Sequence, residues 1–146
     1  MRHNPGFVQL VEKIKAQIQE CSVETLKTRL EQSSPVIVID VREDHEVQQG
    51  MIPGAIHLGR GILERDIETR FPDKQSEIIL YCGGGYRSAL AADNLQKMGY
   101  RRVWSLDGGV KAWKSAGLAL TTSESERIKG GYRKAPPFRL SRKGGV

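Results

Sequence analysis

Apolar residues near the start of the chain recur at helical spacing. Phe7, Leu10, Val11, Ile14 and Ile18 are separated by Glu, Lys and Gln, which predicts an amphipathic helix over residues 6–19. A second helix should follow, with Val23, Leu26 and Leu30 on one side and Ser22 as its N-cap. The pattern then changes. Val36-Ile37-Val38-Ile39 is an unbroken β-branched run, apolar on both faces, as a central strand of a parallel sheet must be. A short helix over residues 43–49 is closed by Gly50, and Ile52-Pro53-Gly54 reads as a turn before a small strand at 55–58. Residues 61–70 read as helix, ended by Pro72. Glu77-Ile78-Ile79-Leu80-Tyr81 forms a second buried strand, and residues 88–98 form a helix closed by Gly99. A strand at 102–105 and a helix at 110–116, closed by Gly117, complete the series.

Strands alternating with helices predict an α/β fold with a mainly parallel sheet. No internal repeat is present. From residue 121 the apolar period disappears and Gly, Pro, Ser and basic residues take over. The expected organisation is a helical extension over 1–19, a globular domain over 20–120 and an extended basic tail over 121–146.

With 146 residues the chain can bury one sizeable core. It has no apolar run long enough for a membrane span. Met1-Arg2-His3-Asn4-Pro5-Gly6 leads directly into the amphipathic stretch, so no secretion signal is read and a cytoplasmic location is expected. Cys21 and Cys82 are the two cysteines. Neither lies in a C-x-x-C pair and the histidines are scattered, which argues against a metal site and for reduced thiols. The formal charge of +6 is uneven. From Thr121 onward, seven basic residues against Glu124 and Glu126 leave +5 in the tail and about +1 in the body. A solvated extension is the default reading of that tail; an arm for an acidic protein or RNA is the alternative.

The chemistry concentrates where a strand ends in Cys82-Gly83-Gly84-Gly85-Tyr86-Arg87 and a helix begins at once. Glycines let the backbone curl so that successive N–H groups point inward, and the helix adds the positive end of its dipole. Such a cradle favours a thiolate at its mouth and also binds the anion that the thiolate attacks. Cys82 is therefore the candidate nucleophile. Ser88 is placed to cap the helix or to donate to sulfur. Arg87 sits where a cation is unfavourable for the helix, so a bracing or ligand-binding role is expected of it.

Four fragments, in order and spacing, resemble the landmarks of rhodanese-like domains: Asp40-Val41-Arg42-Glu43, Gly50-Met51-Ile52-Pro53-Gly54-Ala55-Ile56-His57, Cys82-Gly83-Gly84-Gly85-Tyr86-Arg87-Ser88 and Leu106-Asp107-Gly108-Gly109. The resemblance covers roughly residues 20–120. It implies a five-stranded parallel sheet flanked by helices on both faces, and a sulfur carried as a persulfide on Cys82. It further implies that no cofactor takes part, that the loop amides from Gly83 to Ser88 hold the transferred sulfur, and that Arg60 borders the pocket. The partners implied are a small-molecule donor, such as thiosulfate or a persulfide, and a thiol or cyanide acceptor. Phosphatases of the same family use a wider C-x5-R loop; the spacing from Cys82 to Arg87 is C-x4-R, the sulfurtransferase length. Met51 stands where the family usually has histidine. The loop lacks the extra cations of dedicated thiosulfate enzymes, which points toward a persulfide or small thiol as partner. Asp40 and Arg42 are read as an internal ion pair that organises nearby loops. Cys21, His45, His57, Trp104 and Trp113 are read as packing or surface residues, and Gly108-Gly109 as a tight turn. A non-enzymatic sensor or docking module, a phosphatase and an arsenate-type reductase are the competing functions.

Overall fold

A computed structural model describes residues 2–122; nearly all of the basic tail, with its two readings, lies outside the described residues. The order is α1 (Pro5–Lys15), β1 (Gln19–Cys21), α2 (Val23–Glu31), β2 (Ile37–Asp40), α3 (Asp44–Val47) and β3 (Ile56–His57). It continues with α4 (Leu63–Arg70), β4 (Ile78–Tyr81), α5 (Tyr86–Lys97), β5 (Val103–Leu106) and α6 (Gly109–Ser115). The five strands make one sheet in the order β1-β5-β4-β2-β3, and every pairing is parallel.

Strand alternation sends successive side chains to opposite faces, and each face has its own core. Ile37, Ile39, Ile78, Leu80 and Val103 meet Leu63 and Ile67 of α4 and Ala91, Ala92 and Leu95 of α5. Val38, Ile79, Tyr81 and Leu106 meet Leu26 and Leu30 of α2 and Val110 and Trp113 of α6. Helices thus cover both faces, which is why β4, and β2 up to its terminal Asp40, are apolar. All four residues of each are buried.

Two of the boundaries that differ from the sequence expectation bear on the site. The first helix stops at Lys15 rather than running to residue 19, because Gln19–Cys21 leaves it to pair with β5, Gln19 opposite Trp104 and Cys21 opposite Leu106. The helix after the glycine loop starts at Tyr86, not at 88. Ser22 caps α2 as expected, accepting a hydrogen bond from Thr25 N at 3.1 Å. At the far end, Thr121 exchanges backbone hydrogen bonds of 2.8 Å with Met51 in both directions, so the folded body extends at least to that residue.

Candidate active site

β4 delivers Cys82 to the C-terminal edge of the sheet, where open α/β sheets place their ligand sites. The loop that follows is fixed from behind. Val110 N donates to Cys82 O at 2.9 Å and Lys111 N to Gly83 O at 3.0 Å, so the first turn of α6 holds both carbonyls. Because each peptide is planar and trans, holding a carbonyl on one side turns the next N–H toward the other. Gly109 makes the approach possible: a Cβ there would stand 2.5 Å from Cys82 O and 2.6 Å from Gly83 O. Gly85 takes a left-handed conformation at φ +98° and serves as the N-cap of α5.

The sulfur itself is surrounded by donors. Cys82 is 1% exposed, and its Sγ accepts from Gly85 N at 3.2 Å and from Ser88 N at 3.3 Å. The thiol donates to Ser88 Oγ at 3.5 Å, which lies 2.7 Å from Ser105 Oγ on β5. Both serines are fully buried. Ser88 is therefore not the N-cap expected of it. It is the third residue of α5, and it serves the sulfur through both its amide and its hydroxyl.

Arg87 braces the loop. Its guanidinium grips Glu46 at 2.8 and 3.0 Å, and its Nη2 lies 3.1 Å from where a Gly83 Cβ would stand. The Arg87 hydrogen bonds, helped by the amide of Glu43 at the N-cap of α3, hold the Glu46 carboxyl down to about 2. Glu46 is an anion at every physiological pH. It also closes a reciprocal cap on α3, accepting from Glu43 N at 3.1 Å.

Asp40 and Arg42 form the internal pair read from the sequence. Arg42 Nη2 and Nε bind the Asp40 carboxylate at 2.8 to 3.2 Å, and Nη2 also donates to Gly50 O at 2.7 Å. The pair ties the end of β2 to the turn before β3, where Ile52 N donates to Tyr81 Oη at 2.9 Å. Arg60, expected to border the pocket, is hydrogen-bonded through its guanidinium to Glu64 at 2.7 Å, and the same Glu64 oxygen accepts from Asn94 on α5. His57 Nε2 lies 2.8 Å from Arg42 O. Trp113 is buried and donates to Ala119 O. Cys21 sits half-buried at the end of β1; burial, with Glu20 and Asp107 adding to it against Arg29, pushes its thiol up to about 11.

Three contributors escape a reading of the sequence. Glu46 is one, since its link to Arg87 spans 41 positions. Gly109 as the floor of the loop is another; its positive φ of +58° fits the expected turn, but the close approach needs the sheet order. The third is α1, whose Phe7 ring lies 5.5 Å from that of Tyr86, with His3 at 4.5 Å. The helical extension packs on the loop's own aromatic residue. The apolar face over 6–19 was the available signal, without an address.

The model of the Rhodanese-like domain matches residues 22–116. YtwF of Bacillus subtilis (strain 168) is 38% identical over 98 residues, covering 67% of this chain and 92% of that protein. A sulfurtransferase of Allochromatium vinosum is 35% identical over 107 residues, covering 73% and 98%. Among solved structures, the polysulfide-sulfur transferase homodimer of Wolinella succinogenes superposes with a TM-score of 0.69 at 25% identity, covering 80% of this chain and 88% of that one. Matched over residues 22–116 and by relatives covered over nearly their whole length, the chain belongs to the rhodanese-like domain family.

Proposed function

We propose that this protein is a sulfurtransferase that carries a sulfane sulfur as a persulfide on Cys82. The observation that carries the reading is the buried Sγ with the amides of Gly85 and Ser88 aimed at it, a receptor for negative charge on sulfur. The printed names of the Allochromatium sulfurtransferase and the Wolinella polysulfide-sulfur transferase support the reaction class.

In the first half-reaction the Cys82 thiolate attacks the outer sulfur of a donor. With thiosulfate, the S–S bond breaks, its electron pair leaves with sulfite, and Cys82 holds the outer sulfur as a persulfide anion. With a persulfide R–S–SH, the thiolate R–S⁻ leaves instead and Cys82 becomes Cys–S–SH. In the second half-reaction an acceptor thiolate or cyanide attacks the outer sulfur, and the Cys82 thiolate is released. The two steps make a double displacement. The terminal sulfur sits among the loop amides from Gly83 to Ser88, and the Ser88–Ser105 hydroxyl pair supplies a hydrogen bond to whichever form of the cysteine is present. The short C-x4-R loop favours sulfur over a phosphate monoester, which needs room for a tetrahedral group around the attacking atom.

Intact-protein mass spectrometry after brief exposure to thiosulfate, and separately to cysteine persulfide, tests the proposal. Wild type should gain the mass of one sulfur atom from at least one donor and lose it to cyanide or a thiol, whereas Cys82→Ser should gain nothing. No gain from either donor, or a gain that survives in Cys82→Ser, refutes it.

A further inference from the structure

We propose that Glu46 selects the donor class, by neutralising Arg87 and so turning the site away from thiosulfate and toward the persulfide of a small thiol. This rests on sulfur transfer through Cys82. Thiosulfate is a dianion whose oxygens sit on the sulfur next to the one transferred. With its outer sulfur at Cys82, that oxyanion must lie at the mouth of the loop, where it requires a cation. Arg87 is the cation the loop provides, and Glu46 holds it with two hydrogen bonds of 2.8 and 3.0 Å. Glu43, another carboxylate of the same turn, lies close enough to act on Arg87 electrostatically. That flank of the loop carries more negative than positive charge.

The other cations nearby are committed to carboxylates or exposed to solvent. Arg42 is held by buried Asp40, Arg60 by Glu64 and Lys15 by Glu20 at 3.3 Å. Lys111 follows the loop's floor but is exposed, where water and salt screen it. A persulfide makes no such demand. The atom beside its transferred sulfur is a second sulfur carried on carbon, and the loop amides alone accommodate the outer one. The balanced step is the one above: the Cys82 thiolate bonds the outer sulfur, the S–S bond of R–S–SH breaks, and R–S⁻ leaves with the electron pair. No oxidant or reductant enters.

Glu46→Gln is the decisive variant. Glutamine at this position still accepts from Glu43 N and still bonds Arg87, but the neutralising charge is gone. The ratio of kcat/KM for thiosulfate to kcat/KM for cysteine persulfide should rise about tenfold, equivalent to about 1.4 kcal/mol in favour of the oxyanion donor. A second readout needs no sulfur transfer. The rate of Cys82 alkylation by iodoacetate, an anion, relative to neutral iodoacetamide should rise in the same variant. A change confined to helix stability would move both reagents alike. A donor ratio indistinguishable from wild type overturns the proposal. If wild type takes sulfur from neither donor, the sulfurtransferase reading fails and donor selection falls with it; an unchanged alkylation ratio in a protein that does transfer sulfur overturns the role of Glu46 alone.

Discussion

Gly109→Ala tests the view that the loop is shaped from behind by α6. In the native backbone a methyl group at this position would lie 2.5 to 2.7 Å from Cys82 O, Gly83 O and Gly83 C, whereas ordinary contact begins at 3.4 Å. The obstructing atoms are backbone, so no side chain can swing aside, and α6 must retreat by about 0.8 Å. That stretches the bonds from Val110 N and Lys111 N, now 2.9 and 3.0 Å, beyond useful length. Two bonds at about 1 kcal/mol each, with about 1 kcal/mol or more for forcing a Cβ into the left-handed region, give a loss of roughly 2–4 kcal/mol. For a chain of this size the melting temperature should fall by roughly 8–16 °C. Gly117→Ala is the matched control, since it has φ +81° but nothing within 4 Å; it should lose about 1 kcal/mol from conformation alone. Sulfur transfer assayed well below both melting temperatures should drop by at least about tenfold in Gly109→Ala, because a displacement of this order at a reacting atom is costly. A Gly109→Ala protein that melts with Gly117→Ala and retains full activity would show that α6 does not shape the loop.

Asp40→Asn leaves the buried Arg42 guanidinium without its anion and should cost about 3–5 kcal/mol, read as a lower urea midpoint at unchanged slope; a loss under about 1 kcal/mol would sink the organising role of the pair. Cys21 should stay inert to iodoacetamide at pH 8 and become reactive only as pH approaches about 11, since burial raises its pKa and keeps it protonated below that value. Peptide mapping checks this, and labelling of Cys21 at pH 8 would contradict it.

Much of this fold was written in local pattern. The runs at Val36–Ile39 and Ile78–Tyr81 announce strands because both their faces are covered, and a segment buried on both faces must be apolar throughout. β1 shows the opposite case. Gln19 and Glu20 are exposed, so no alternation survives, and these residues are extended only because β5 offers an edge to pair with. At the site, the Cys82 loop was legible because glycines, a nucleophile and a helix start are adjacent in sequence. Ser88 was misplaced as an N-cap because Gly85 ends the loop three residues earlier, through a left-handed turn that a glycine run does not localise. Glu64, one helical turn after Arg60, pairs with it, a contact that helical spacing alone allows. The partners of Arg87 and the floor under Cys82 come from distant segments, and only the topology brings them near.

The strand order also governs how the chain can mature. β1, near the start, pairs with β5, which lies almost at the end of the domain, and β4 stands between β5 and β2. Such connectivity has a high contact order, and contacts of this range form late. During synthesis the N-terminal segment must wait for β5 to clear the ribosome before it has a neighbour, with Leu26, Leu30 and Val38 lacking their α6 partners until then. Folding is therefore expected only after nearly all of the domain has emerged, and the thiol loop, whose floor is α6, is the last part to take its working shape.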